Sequence, residues 1–182
     1  MNRRQPIAQI AQPGQGIRLA GWLPFVLLLA VGAVTGLGDG STASLTLSGT
    51  VSRTVSISVT PENNYNSLDL VGGETEKAVA VINERSNDKA GYTVAITSVG
   101  AGSTSQAQLR PVTPGNPDTI PYSLKYGGAT VAFNLGHATL TSTSGRTSGA
   151  GTNIVLSVTI PSSGGVTADT YSDTLQLTIQ GN

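Results

Sequence analysis

The residues able to do chemistry are few. His137 is the only histidine in the chain, so no histidine pair is available to hold a metal, and only one imidazole base is possible. Serines and aspartates are plentiful enough to complete a Ser-His-Asp set around it. The chain has no Gly-x-Ser-x-Gly elbow, however, and a lone histidine on a strand is far more often structural. There is no cysteine, which removes disulfides, a thiol nucleophile and thiolate metal sites. Glu74 and Glu76 flank Thr75 beside two glycines. They read as a carboxylate pair, a weak cation site or, most simply, a solvated turn next to Lys77. Asp69, Asp169 and Asp173 have the right chemistry for calcium, but their spacing does not match a calcium loop. Tyr65, Tyr92, Tyr122, Tyr126 and Tyr171 suit a sugar-stacking platform, although Tyr92 and Tyr171 each start an alternating run, as core or rim residues do. The mixed-charge run of residues 83–89 reads as a hydrophilic loop. The expectation is therefore no catalytic residues, no metal and no cofactor.

The elements around these residues begin with an export signal. Arg3, Arg4 and Arg18 precede an apolar stretch over residues 19–34, and Gly36, Gly38, Gly40, Ser41 and Ala43 follow it. Positive charge, apolar core and small-residue exit are the order of a secretory signal peptide, with cleavage after Gly36 or Ala43. A retained membrane anchor fits less well, because Pro24 and the glycines make a poor spanning helix. The Arg3-Arg4 pair lacks the flanking residues of a twin-arginine signal. After Ala43 the chain carries seven basic and nine acidic residues, a net charge of −2. No basic stripe is present, which argues against nucleic acid and anionic membrane as partners. The localisation expected is export through a periplasm to the cell surface or beyond.

Behind the signal lies a fifteen-residue alternation over residues 45–59. Leu45, Leu47, Gly49, Val51, Arg53, Val55, Ile57 and Val59 take the odd positions, and every even position is Ser or Thr. A period of two with one apolar face is the pattern of a half-buried strand. Fifteen residues would span roughly 50 Å, two to three times a usual strand. Two strands in series, broken between Gly49 and Arg53, are expected. Further alternating runs surround Val79 to Ile82, Tyr92 to Thr97, Tyr122 to Tyr126, Thr130 to Leu135, Ile154 to Ile160 and Tyr171 to Ile179. The Gly127-Gly128 pair between two of them marks a hairpin. Gly and Pro clusters separate the rest, and no helical period appears. The fold class expected is all-β: an antiparallel immunoglobulin-like β-sandwich of eight to ten strands, preceded by an N-terminal signal helix and a possible donor strand. An outer-membrane barrel is disfavoured because the exported part has one Phe, no Trp and no terminal aromatic.

Two segments resemble a known family. The chain ends Val166-Thr-Ala-Asp-Thr-Tyr-Ser-Asp-Thr-Leu-Gln-Leu-Thr-Ile179, similar to the closing strand of the spore coat protein U-like domain, the pilin fold of archaic chaperone–usher pili. Leu45-Thr-Leu-Ser-Gly-Thr-Val-Ser52 resembles the N-terminal extension of such pilins. The resemblance implies a sandwich lacking one strand, filled first by a periplasmic chaperone. At an outer-membrane usher the N-terminal strand of the next subunit then takes its place. It assigns residues 1–43 to signal and linker, 44–52 to the donor strand and 53–182 to the pilin-like domain. Leu45, Leu47 and Val51 would enter the neighbour's groove, and Gly49 would pass where the groove is shallow. The protein is then a non-catalytic structural subunit of a surface pilus or coat, with neighbouring copies as partners. On pattern alone a second reading stands level: residues 45–59 form one strand crossing between the sheets of a self-contained monomeric periplasmic or surface binding module or adhesin.

Overall fold

The computed structural model describes residues 42–182, so the predicted signal peptide and its helix lie outside the described residues. Ser52–Asn182 forms a compact unit built wholly of strands and turns. Ten strands follow in order: β1 (Val55–Pro61), β2 (Glu74–Ser86), β3 (Tyr92–Ser98), β4 (Ala107–Pro111), β5 (Ile120–Tyr126), β6 (Ala129–Thr130), β7 (His137–Thr143), β8 (Thr152–Ile160), β9 (Tyr171–Ser172) and β10 (Leu175–Gly181). They pair antiparallel in a curled seven-stranded sheet of order β1-β2-β8-β5-β4-β9, with β6 attached to β5, and a smaller sheet of order β10-β3-β7. The sheets share one core, an arrangement consistent with a β-sandwich.

Period-two alternation builds that core. Ala80, Ile82, Glu84 and Ser86 of β2 point inward, as do Tyr92, Val94, Ile96 and Ser98 of β3. Ile82, Ile120 and Leu124 from the large sheet pack in one cluster with Ile96 and Ala138 from the small one. Each such buried aliphatic contributes about 1.5–3 kcal/mol. With Phe133 the one Phe after residue 43, branched aliphatics and tyrosines carry the packing.

The register defines two poles. The start of β1 pairs with the end of β2 (Val55 with Ser86), and the start of β3 pairs with the ends of both β7 and β10. These termini and the loops 87–91 and 144–151 form one pole, called proximal because the chain enters there. The loops 62–73, 99–106, 112–119 and 161–170 lie toward the other, distal pole. Gly91 makes the proximal turn possible. Its φ is +92°, and a Cβ there would stand 1.7 Å from the Thr143 carbonyl oxygen.

Three expectations are corrected. Residues 83–86 belong to β2 rather than to a loop, because the inward face of the strand continues through Glu84. The run Thr130 to Leu135 is not a strand: β6 stops at Thr130, and Leu135 (φ +50°) and Gly136 (φ +77°) turn the chain into β7. The closing run splits at Asp173 into β9 and β10.

Candidate functional site

Strands β1 and β10 are the outer members of their sheets, and they flank each other without pairing. Each is seven residues long and pairs along one side only, β1 with β2 and β10 with β3. Among the described residues no strand pairs with their facing edges. Between them opens an apolar cavity of about 290 Å³. Val59 and Pro61 of β1 and Leu175 and Leu177 of β10 form its rims, with Tyr65 and Leu68 at the distal end. Leu124, Leu156 and Val158 make its floor. Val59 is 48 % exposed there, whereas Ile57 on the same face is half-buried. A guest strand pairs about 4.8 Å from each edge, so β1 and β10 must part to admit one.

The cavity lies in the distal half of the gap, and a side chain bars the proximal end. Arg53 spans the gap, with Nε 2.6 Å from Asp88 Oδ2 and Nη2 donating to the Asn182 carbonyl at 3.4 Å. Gly181 leaves room for this crossing, since a Cβ there would lie 1.7 Å from Nη2. Just before β1 the chain is held straight. Thr54 N–H donates to Asn87 Oδ1 at 2.7 Å, Asn87 N–H donates to the Thr54 carbonyl at 3.0 Å, and Asn87 Nδ2 donates to the Ser52 carbonyl at 2.9 Å. Residues 52–54 thus continue the line of β1 past the proximal pole.

The predicted donor residues stand outside every strand ladder of the β-domain, which begins at Val55. Leu45, Leu47 and Val51 are 61 %, 72 % and 86 % exposed, and Gly49 between them is also exposed.

Two carboxylates organise the interior: Glu84, expected in a hydrophilic loop, and Asp173, weighed only as a calcium ligand. Glu84 is fully buried and has no cation beside it; Tyr92 Oη donates to Oε2 at 3.0 Å, Thr141 Oγ1 donates to Oε1 at 2.8 Å, and Tyr126 Oη also donates to Oε1. Those four residues come from β2, β3, β5 and β7, so one side chain ties both sheets. Asp173 accepts from Ser98 Oγ at 2.6 Å, from the Gly100 amide at 2.6 Å and from Tyr122 Oη. Burial, then the hydrogen bond to a carboxylate, pushes the Tyr92 hydroxyl up to about 12 and raises Tyr122 and Tyr126 as well. The inward alternation of Ala80, Ile82 and Glu84 is the signal that could have flagged the first of these acids.

The remaining candidates do not converge. Glu74 pairs with Lys77 at 2.7 Å and Glu76 pairs with Lys125. The Asp69 backbone amide, then Lys77, hold Glu74 below the usual range. Asp69 caps the amides of Val71 and Gly72, whereas Asp169 accepts from Asn116 and Thr113. Among the described residues no cluster of three metal-ligating side chains forms. Of the tyrosines, Tyr92, Tyr122 and Tyr126 are buried, so the five make no stacking platform. His137 opens β7, with Nδ1 2.9 Å from Thr97 Oγ1.

No protein-family model matches this chain, and a comparison with curated proteins finds no match either.

Proposed function

We propose that this chain is an exported, non-catalytic structural subunit of a surface pilus or coat, in which the segment 44–52 of one copy completes the β-domain of the next. One observation carries the reading: an apolar groove lies between two strand edges that pair with no further strand among the described residues, while a seven-residue apolar alternation stands exposed outside the ladders of the β-domain. The two edge strands and that alternation are each seven residues long, and the cavity occupies the part of the gap bounded by Val59, Pro61, Leu175 and Leu177. The immunoglobulin-like, pilin-type reading of the fold and the involvement of a periplasmic chaperone and an outer-membrane usher belong to this proposal. So does passage through the periplasm to the cell surface.

Donation to another copy fits better than return to the parent. To fold back along its own β1, the segment would have to turn within residues 52–54 and release the three hydrogen bonds to Asn87. Polarity follows from the Arg53 bar. A guest whose chain leaves at the distal end runs parallel to β1, which sets its own domain against the acceptor's distal pole. Repeated, this contact is head-to-tail and does not close, so it grows a filament. The opposite orientation would bring proximal pole to proximal pole and end as a swapped pair. Burying Leu45, Leu47 and Val51 contributes roughly 5–9 kcal/mol, before the two new hydrogen-bonded ladders.

The test compares the chain from Ser44 onward with the same chain lacking residues 44–52. Donation predicts detergent-resistant oligomers from the first. The second should aggregate or need a chaperone, and a peptide of residues 44–52 should rescue it. A soluble monomer from the longer chain, with that segment protected from protease, would replace the filament by a self-contained module.

A further inference from the structure

The three ion pairs of the β-domain, Arg53–Asp88, Lys77–Glu74 and Lys125–Glu76, cancel locally. What remains is segregated. Arg85, Lys89 and Arg146 are grouped at the proximal pole and have no carboxylate or hydrogen-bond acceptor among the described residues, which leaves +3 there. Glu62, Asp69, Asp118, Asp169 and Asp173 lie toward the distal pole with one guanidinium, Arg110, for a net −4. Glu84, the one further acidic residue, is buried between the sheets toward the proximal end of β2. The near-neutral total therefore hides a strongly dipolar domain.

The proximal charge is also shaped. Arg85 and Arg146 flank a cleft of about 350 Å³ lined by Ser86, Asn87, Thr147 and Ser148. The loop carrying Arg146 is fixed to the end of β2. Ser86 N–H donates to Thr147 Oγ1 at 3.0 Å, and Thr147 N–H donates to the Ser86 carbonyl at 2.9 Å. Two guanidiniums on a fixed frame, with hydroxyls between them, match a carboxylate. At the other pole Glu62 follows Pro61 at the groove mouth, and its carboxylate has no hydrogen-bond partner among the described residues. Asn116 and Thr167 hold Asp169 and Asp118 below the usual range, so the surrounding field stays negative at neutral pH.

We infer that the proximal pole is a docking surface for the distal pole of a second copy of this chain, with the Arg85–Arg146 cleft receiving the neighbour's Glu62. This rests on the donor-strand reading for its geometry: a guest strand leaving at Pro61 brings its own proximal pole against Glu62. Opposite poles attract and like poles repel, so the field steers copies into the open head-to-tail order and disfavours the swapped pair.

The experiment follows the chain from Ser44 onward by light scattering, reading both weak pairwise attraction between soluble copies and the rate at which detergent-resistant oligomers appear. Raising salt from about 20 to about 300 mM should weaken the attraction and slow growth at least about tenfold. Arg85→Glu with Arg146→Glu should do the same at low salt, and adding Glu62→Lys to that pair should restore part of the rate. If attraction and rate ignore salt and both sets of substitutions while resistant oligomers still form, pole docking is overturned and strand donation stands. If the attraction responds as described but no resistant oligomer ever forms, docking stands and strand donation fails.

Discussion

Glu84 offers the sharpest test of how this domain holds together. Its carboxylate is fully buried, has no cation nearby and accepts three hydroxyl hydrogen bonds. Glu84→Leu keeps the volume approximately and strands the hydroxyls of Tyr92, Tyr126 and Thr141 in a site closed to water. Each of the three stranded donors costs about 1–3 kcal/mol, so the substitution should cost about 3–9 kcal/mol in total. That approaches the whole stability of an ordinary domain. Because the β-domain has no Trp, the assay is urea unfolding followed by far-UV circular dichroism. The midpoint should fall sharply with little change in slope.

A second variant separates hydrogen bonding from packing. Tyr92→Phe, Tyr126→Phe and Thr141→Val, added to Glu84→Leu, remove every orphaned donor together with the acceptor. Replacing all partners of a buried network by apolar groups of similar shape is close to neutral. The quadruple variant should therefore recover most of the loss, a non-additivity of several kcal/mol that only coupled residues produce. A loss below about 1 kcal/mol for Glu84→Leu, or a quadruple variant as weak as the sum of its parts, would refute the network as the tie between the sheets.

Leu47→Asp should leave the monomer's unfolding midpoint within about 0.5 kcal/mol of the parent, because the side chain is 72 % exposed. It should also weaken the joint between copies by about 2–3 kcal/mol, roughly 30–150-fold, read as faster loss of resistant oligomers. In alkali, unfolded tyrosines ionise near 10, while Tyr92 keeps its proton to about 12 and Tyr122 and Tyr126 are also raised. A raised folded value means stability that is complete below pH 10 and lost as pH climbs toward 12. Absorbance at the tyrosinate band should rise together with unfolding, and a smooth titration of all five tyrosines in a folded protein would contradict this. Gly91→Ala should cost about 2–4 kcal/mol, since it combines a strained φ with a clash on the Thr143 carbonyl; thermal unfolding measures it.

Strands with strong apolar contrast were legible in the sequence. The runs around Tyr92, Tyr122 and Ile154 became β3, β5 and β8 with nearly the expected bounds, and Gly127-Gly128 made its turn. Strand β4 was not foreseen because only Ala107 and Leu109 mark its inner face; the same holds for Ala138 and Leu140 in β7. The polar half of β2 resembled a loop because a carboxylate occupies an inward position, and only three hydroxyls from distant strands make that position tolerable. The closing run resembled one strand because Asp173 interrupts it through long-range bonds to Ser98 and Tyr122. The apolar residues of the candidate donor were plain in the local pattern. The groove was not, because it arises from topology: β10 pairs with β3 and leaves β1 paired with β2 alone among the described strands.

The placement of the two acids bears on how such a groove can open. Strand β10 is anchored at both ends, by Asp173 to β3 and β5 at the distal end and by Asn182 to Gly91 and Thr143 at the proximal end. Strand β1 is paired with β2 along its whole length. Neither rim needs to lose a backbone ladder for the rims to separate; only apolar contact between them is exchanged for contact with the guest. Opening is then resisted mainly at the Arg53 bar, which is half-exposed and whose ion pair is worth at most about 1 kcal/mol. A lattice of buried hydroxyl–carboxylate bonds keeps the rest of the domain in place without disulfides, so the groove can part while its floor of Leu124, Leu156 and Val158 stays fixed. On the proposed reading, a domain built in this way would exchange one guest strand for another without unfolding, which is the physical requirement of assembly by strand donation.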